Sequence, residues 1–251
     1  MTWLEANRSW VLELLWQHLL LSVPAVAISV VVAVVLGRVA WRWPRVGSVV
    51  LGVASLLYSV PALPLLIVVP VLLSIPLRSE TNLVVALAVY GTALLAGTAA
   101  DAFRTVDVRV REAAEAMGYS RRGLFWRIDL PLSLPVLISG IRVVAVSTVS
   151  LVTIGALVGI SSLGSLLTDG FQRGIREEVA TGVIATMVLA VLLDLAVVLA
   201  GRALTPWQRR VRGDARTART TPDRDHPAGT AGTTNPAGTA GTAGPAAEVS
   251  A

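Results

Sequence analysis

The chain has 251 residues, of which 54% are hydrophobic and 15% charged, and its mean hydropathy is +0.71. Soluble domains are about 45–50% apolar and about 25% charged, so the composition excludes an ordinary cytosolic enzyme and a disordered regulator. There is no cysteine, and the only histidines are His18 and His226, which excludes a disulfide framework, a thiol nucleophile and a His-rich metal site. The net charge is +5, and all 21 basic residues are arginines.

Five apolar segments are long enough to cross a bilayer, which takes about 20 residues. They are 19–40, 46–73, 83–100, 132–160 and 179–201. The first is too long for a cleaved signal peptide, so residues 1–18 are expected to form a short extracytoplasmic segment before a permanent span. The sequence therefore predicts an all-α integral membrane protein with five transmembrane helices within residues 19–204, or six if the long second segment forms two.

The second segment contains three prolines, Pro61, Pro64 and Pro70. Proline lacks an amide donor and kinks a helix, and lipid tolerates this only where neighbours or a cavity satisfy the freed carbonyls. We expect either one broken helix or two short ones. Because broken helices often build transporter sites, Tyr58, Ser59, Pro61 and Pro64 are candidates for a translocation path; the alternative is that the prolines only shape packing.

The distribution of arginines predicts the orientation of the chain, because cytoplasmic segments are enriched in positive charge. With the N-terminus outside, sixteen arginines fall in inside segments and four outside. The inside set comprises Arg38, Arg42, Arg45, Arg104, Arg109, Arg111, Arg121, Arg122, Arg127 and the seven from Arg202 onward; the outside set is Arg8, Arg78, Arg173 and Arg176. We therefore expect five spans, a cytoplasmic C-terminus, and interfacial tryptophans at Trp41, Trp43 and Trp207.

Two ionisable residues, Arg142 and Asp194, fall inside predicted spans. Charge within a membrane is costly and is usually functional or paired, and the sequence does not decide whether these two contact each other. His18 is expected to be a polar end-group at the outer interface. Residues 205–251 are rich in Pro, Gly, Thr and Ala, a composition that buries little apolar surface and predicts a disordered tail containing His226.

The predicted cytoplasmic segment 101–129 has a helical pattern. Apolar residues recur at helical spacing, and Arg111 has acidic partners four residues away on either side, Asp107 and Glu115. Gly118 is expected to end this helix and Ser120 to cap a second, short helix that runs through Trp126. The pair is expected either to dock a cytoplasmic partner or to rest on the lipid surface. The apolar stripe comprises Val106, Val110, Ala113, Ala114 and Met117.

The same segment carries the pattern EAA-x3-G-x9-I-x-LP, formed by Glu112, Ala113, Ala114, Gly118, Ile128, Leu130 and Pro131. It resembles the cytoplasmic loop of ABC importer permeases at every specified position. Softer likeness over residues 15–202, in LYSVPALPLLIVVPVLL, GIR and LDL, resembles the glycine betaine, choline and carnitine (osmoprotectant) permeases. The chain departs from their common glycine-rich stretch at Ile160-Ser161-Ser162-Leu163-Gly164.

The resemblance implies a type I ABC importer permease in a bacterial inner or plasma membrane, with residues 101–131 as its coupling loop. It also implies partners: a second permease copy, identical or different, cytoplasmic ATPase subunits, and an extracytoplasmic substrate-binding protein. The chain has no GxxxxGK[ST] phosphate loop, so we expect no catalytic residues, no metal and no cofactor, with ATP bound by the partner ATPase. The seven residues of the pattern are the expected ATPase-coupling residues.

Three alternatives remain at this point. The chain is a permease for another small solute, such as an amino acid; or a membrane-embedded enzyme, although Asp194 has no second catalytic group near it in sequence; or a membrane anchor without transport. The coupling loop alone does not separate the first alternative from osmoprotectant import.

Overall fold

The computed structural model describes residues 2–206, and within this range every regular element is helical, which confirms the all-α prediction. The helices are α1 (Thr2–Arg42), α2 (Pro44–Ser59), α3 (Ala62–Leu73), α4 (Glu80–Arg104), α5 (Val108–Ala116), α6 (Arg121–Leu124), a π-helical turn (Phe125–Asp129), α7 (Leu130–Val152), a 3-10 turn (Thr153–Val158), α8 (Gly164–Arg173) and α9 (Arg176–Leu204). The tail expected to be disordered, with Trp207 and His226, lies outside the described residues apart from Thr205 and Pro206.

Helix α1 is longer than the sequence predicts. It is 41 residues long and begins at Thr2, whereas the expected span began near Leu19 after a separate segment 1–18. At 1.5 Å per residue α1 is about 60 Å long, twice the hydrocarbon thickness. Val11 and Leu14 pack against Leu163 and Leu166. The early turns are held by contact with protein, which a hydropathy window does not detect.

His18 lies inside the bundle and is fully buried. Its Nε2 atom is 3.0 Å from the carbonyl oxygen of Val149 in α7. The expectation that His18 is a polar end-group at the interface is therefore wrong. A buried imidazole needs a hydrogen-bond partner, and here the partner lies 131 residues away in the chain.

Helices α1 and α4 run side by side in the same direction. Leu21 shares a cluster with Leu83 and Leu87, and the Ser29 hydroxyl donates to the Ala88 carbonyl at 3.1 Å. Further along, a Cβ atom at Gly37 would lie 2.6 Å from the Ala99 Cβ, so only glycine permits this close approach. Because both helices run the same way, the chain between them must return across the bundle.

That return is made by α2 and α3, which bend by 116° at the break between them. Within residues 2–206, four single helices are long and apolar enough to span a membrane, and the bent pair counts as a fifth if its two halves form one span. The halves have 16 and 12 residues, each short of the roughly 20 needed. Counting the bent pair as one span agrees with the predicted five crossings, and the alternative of six, which needs both halves to cross alone, finds no support.

Helix α7 runs opposite to α4, and α9 runs opposite to α7. Gly140 packs on Leu95 and Gly201 packs on Ile138, while Val149 and Leu189 share a cluster nearer the other end. Helices α1, α4 and α9 consequently finish at the same end of the bundle. Helices α5 and α6 connect α4 to α7 at this end, which we call the arginine-rich end. It carries Arg38, Arg42, Arg45, Arg104, Arg109, Arg111, Arg121, Arg122, Arg127 and Arg202.

The broken span satisfies one of its freed carbonyls through a side chain. Pro70 lies inside α3 and has no N–H to donate to the Leu66 carbonyl four residues earlier. The buried Asn82 amide donates instead, at 3.1 Å to the Leu66 oxygen and at 2.9 Å to the Leu77 oxygen. The predicted break is confirmed, and its freed polar group is paired within the protein as a membrane environment requires.

Replacing Asn82 by Leu is expected to lower the free energy of unfolding by about 1–3 kcal/mol, because the Leu66 carbonyl loses its donor in an apolar setting. Thermal unfolding in detergent micelles measures the loss. The matched control is P70A, which restores a backbone N–H four residues after Leu66. We expect P70A to recover part of the loss in the N82L chain. If P70A changes the free energy of unfolding equally in the wild-type and N82L chains, Asn82 does not pair the Leu66 carbonyl.

Candidate functional site

Helix α5 is defined at both ends by specific hydrogen bonds. The Asp107 side chain caps its start by accepting from the Arg109 N–H at 2.8 Å. At its end the N–H of Gly118 donates to the Glu115 carbonyl at 2.9 Å, and the N–H of Tyr119 donates to Ala114 at 3.2 Å. Gly118 has φ of +84°, the left-handed conformation typical of the glycine after a helix. The predicted glycine stop is confirmed.

The two sides of α5 have different surroundings. Ala114 is fully buried and Arg111 is half-buried, so these residues face the bundle. Glu112 and Ala113 are exposed, and so are Val110 at 44% and Met117 at 70%. Part of the predicted apolar stripe therefore points away from the protein. A short helix that leaves apolar side chains uncovered offers a surface to a partner.

The second helix continues where the sequence predicts an end. Ser120 caps α6 by accepting from the Gly123 N–H at 3.2 Å, as expected. The chain then passes through the π-helical turn into α7 without a break, so the prediction that this helix ends at Trp126 is wrong. The Leu130 N–H donates to the Phe125 carbonyl five residues earlier, and this wide turn lies where Pro131 interrupts regular α-helical bonding.

The π-helical turn holds a buried carboxylate, Asp129, whose side chain is only 2% exposed. The Arg38 guanidinium of α1 donates to Oδ2 at 2.6 Å. The Arg111 Nε atom of α5 lies 3.0 Å from Oδ1, an ion-pair contact without hydrogen-bond alignment. Asp129 thus joins α1, α5 and the start of α7. We call these three residues the Asp129 clamp.

Aromatic rings cover the clamp. The Arg38 Cζ atom lies 4.6 Å from the ring centre of Trp41 and 4.9 Å from that of Phe125, and the Arg111 Cζ atom lies 4.3 Å from Trp41. Cation–π contact of this kind favours a guanidinium that has lost water. The rings therefore stabilise both arginines in the positions from which they pair with Asp129.

The structure places the predicted coupling residues in two groups. Glu112, Ala113, Ala114 and Gly118 are on α5 and its turn, while Ile128, Leu130 and Pro131 are at the π-helical turn and the start of α7. The contact that brings the groups together is the Asp129 clamp, which the sequence did not reveal. Arg111 was expected to pair with Asp107 and Glu115, and that expectation is wrong because its carboxylate partner within 4 Å is Asp129.

The residues predicted at the broken span lie at the bend between α2 and α3. Tyr58, Ser59, Pro61 and Pro64 are all exposed. The Tyr58 ring lies 5.4 Å from the Tyr90 ring of α4, centre to centre. The bend thus presents one aromatic pair and a short run of exposed residues.

Arg142 of α7 and Asp194 of α9 form a two-pronged ion pair. The Nε and Nη2 atoms of Arg142 each donate to a carboxylate oxygen at 2.7 Å. The side chains remain 47% and 26% exposed in the single chain. The structure therefore answers a question that the sequence left open: these intramembrane charges pair with each other and connect the last two spans.

Comparison with known proteins agrees with this geometry. Residues 19–210 match the family described as "Binding-protein-dependent transport system inner membrane component". The chain belongs to this family. The match covers all five crossings and the clamp, so the permease is a membrane component of a transport system, and the enzyme and anchor alternatives are set aside.

Curated relatives of the permease share 24–29% identity. It is 28% identical over 207 residues to the carnitine transport permease protein OpuCD of Listeria monocytogenes, covering 82% of this chain and 92% of that protein. It is 25% identical over 210 residues to the glycine betaine/carnitine/choline transport system permease protein OpuCD of Bacillus subtilis, covering 83% and 90%. The B. subtilis choline transport system permease protein OpuBB is 26% identical over 81% and 92%.

Among solved structures, the permease is similar to a chain of the inward-facing MetNI methionine ABC transporter. The two superpose with a TM-score of 0.70 at 19% identity, covering 79% of this chain and 98% of that one. A second crystal form gives a TM-score of 0.68 at 20% identity. This likeness confirms the expected importer-permease fold.

Replacing Asp129 by Asn should destabilise the permease by about 2–3 kcal/mol, because two partly buried arginines lose their counter-charge. The same change should free α5, seen as faster amide hydrogen exchange at residues 108–116.

Asp101 provides the matched control. Its carboxylate pairs with Arg104 at 2.8 Å at the same end of the bundle, with side chains 67% and 58% exposed. Exposed pairs contribute roughly 0–1 kcal/mol, so D101N should leave unfolding and exchange nearly unchanged. If D129N and D101N behave alike, the clamp does not hold α5.

Proposed function

We propose that this chain is the permease subunit of an ATP-driven ABC importer for an osmoprotectant quaternary amine: glycine betaine, choline or carnitine. It works with a second permease copy, cytoplasmic ATPase subunits and an extracytoplasmic binding protein, and it needs no cofactor of its own. The observation that carries the proposal is α5, a capped helix at the arginine-rich end whose outer side is uncovered and whose inner side is clamped to the spans. The family match supplies the transport context.

The choice of substrate rests on the curated relatives, whose names give carnitine, choline and glycine betaine. The alternative, import of an amino acid, has only the structural likeness to a methionine transporter at 19–20% identity, which speaks for the fold alone. Few aromatic side chains lie near the broken span, so we expect the high-affinity aromatic cage for the quaternary amine in the binding protein.

The arginine-rich end is proposed to face the cytoplasm. Among residues 2–206, ten arginines lie there, against four at the opposite end, Arg8, Arg78, Arg173 and Arg176. This asymmetry supports a cytoplasmic α5, an external start of α1 and an internal end of α9 in a bacterial inner membrane.

Orientation can be tested directly because the chain has no cysteine. Single variants A116C on α5 and Q172C on α8 place a thiol at each end, both at exposed positions. A membrane-impermeant maleimide added to intact cells should label Q172C, and A116C only after lysis. The reverse pattern would contradict both the orientation and a cytoplasmic ATPase partner at α5.

Motion at α5 has a defined route into the spans. The ATPase would hold the outer side, at Glu112 and Ala113, while Arg111 on the inner side pulls on Asp129. Because Asp129 lies in the turn that continues into α7, movement of α5 is passed to α7, and through Arg38 to α1. The Arg142–Asp194 pair then connects α7 to α9. ATP-driven closure of the ATPase pair would bias the spans between two packed states.

The exposed Arg142–Asp194 pair supports a second permease copy. A charged pair facing hydrocarbon is costly, yet these side chains are 47% and 26% exposed in one chain. A partner subunit, or the aqueous path between two subunits, would remove that contact with lipid. The bend at Tyr58, Ser59, Pro61 and Pro64 is proposed to line the same path.

Uptake in a strain lacking its own osmoprotectant importers tests the proposal. Wild-type chain with its ATPase and binding protein should restore uptake of labelled betaine, choline or carnitine, more strongly after osmotic upshift. G118V should reach the membrane and fail to transport, because a β-branched residue at φ of +84° costs about 1–2 kcal/mol and displaces the turn.

G118N is the matched control, since Asn adopts the left-handed conformation more readily than Val. A Cβ atom at position 118 meets nothing within 4 Å, so a clash at Cβ contributes nothing and the pair of variants tests the strain of the left-handed backbone. We expect G118N to keep most of the uptake. Normal transport by G118V would count against the coupling role, and no uptake of any quaternary amine by the wild type would refute the substrate class.

A further inference from the structure

A cavity of about 400 Å³ opens where the end of α1 meets α5 and α6. Four arginines line it, Arg38, Arg42, Arg111 and Arg121, together with Glu115 and Tyr119. The cavity lies beside the Asp129 clamp but on its open side. We call it the arginine cavity.

The arginine cavity has an excess of positive charge. Arg38 and Arg111 share the single carboxylate of Asp129. Among residues 2–206, neither Arg42 nor Arg121 has a carboxylate oxygen within 4 Å, which leaves Glu115 as the cavity's other negative group. Several guanidinium groups around one cavity favour a phosphate, which can accept several N–H bonds at once.

An apolar groove of about 380 Å³ adjoins the cavity. It runs between Val34, Val35 and Val39 of α1 and the rings of Phe125 and Trp126, and it shares Arg38 and Arg121 with the arginine cavity. Val35 is 56% exposed and Trp126 is 66% exposed. The two sites together present a charged end and an apolar channel to one molecule.

We propose that the arginine cavity and the adjoining groove bind one anionic phospholipid, with its phosphate among the arginines and an acyl chain along the groove. Basic pockets between membrane helices favour anionic headgroups, and exposed tryptophans such as Trp126 favour the level of the headgroups. A free phosphate would use the cavity but leave the groove uncovered, so the groove is the reason to choose a lipid. This inference does not depend on which solute the permease carries.

The occupied site would stabilise the clamp. A phosphate beside Arg42 and Arg121 offsets repulsion among the four guanidiniums, and an acyl chain covers the open side of Phe125. The outer side of α5, with Glu112 and Ala113, stays free for the ATPase. The lipid would therefore hold α5 in the position from which it docks.

The test is lipid retention by the full chain, purified in detergent and titrated with phosphatidylglycerol or phosphatidylcholine of identical acyl chains. Native mass spectrometry counts the bound lipids. Wild type should retain phosphatidylglycerol at a concentration roughly 25-fold or more below that needed for phosphatidylcholine, since the two arginines without a carboxylate partner among residues 2–206 contribute about fivefold each. R42Q/R121Q should remove most of this preference, because each arginine near an anionic lipid contributes about a fivefold gain in binding. The matched control is R109Q/R202Q, which removes two exposed arginines from the same end outside the cavity and should keep the preference.

Competition with glycerol 3-phosphate separates a lipid from a free phosphate. This compound has the phosphate without acyl chains, so it should not displace phosphatidylglycerol, and V35N in the groove should weaken lipid retention. Displacement by glycerol 3-phosphate, equal retention of the two lipids by wild type, or an unchanged preference in R42Q/R121Q would each overturn the proposal.

Discussion

A single buried carboxylate determines how the arginine-rich end of this protein is built. Asp129 is 2% exposed, and a buried charge is tolerated only where it is paired. Its two partners come from elements far apart in the chain, Arg38 of α1 and Arg111 of α5. Satisfying this one charge therefore fixes α5 against the spans, and α5 is the helix with an uncovered outer side. The contact that the buried carboxylate requires, between Asp129 and Arg111, is also the contact through which α5 is proposed to move the spans.

Two interruptions of regular helical bonding, at Pro70 and before Pro131, are each compensated by groups within the protein. At Pro70 the freed Leu66 carbonyl is paired by Asn82 of the next helix. Before Pro131 the chain adopts a π-helical turn, and Asp129 lies in it. Because lipid offers no hydrogen bonds, such interruptions survive only inside protein. They mark the broken span, proposed to line the path, and the turn from α6 into α7, proposed to take part in coupling.

Much of the architecture follows from local sequence patterns. Apolar length predicts five crossings, the prolines predict the broken second span, and Gly118 and Ser120 predict the helix–turn–helix between the third and fourth crossings. Each rests on short-range chemistry: burial of apolar side chains, a missing amide donor, or a left-handed turn. Where packing against distant residues intervenes, prediction fails. The early turns of α1, the burial of His18 and the continuity of α6 with α7 all depend on contacts that a window of sequence does not contain.

The sequence by itself determined that the chain resides in a membrane, which apolar segments are long enough to cross it, and which short helix carries the EAA pattern. It also identified Arg142 and Asp194 as charges that need an explanation. Only the tertiary structure decided that these two pair with each other, that Arg111 turns to Asp129 rather than to its neighbours on α5, and that an apolar groove meets an arginine cavity. The physical reason is that an ionic partner is chosen by distance and burial in three dimensions, whereas sequence spacing offers only the candidates on the same helix.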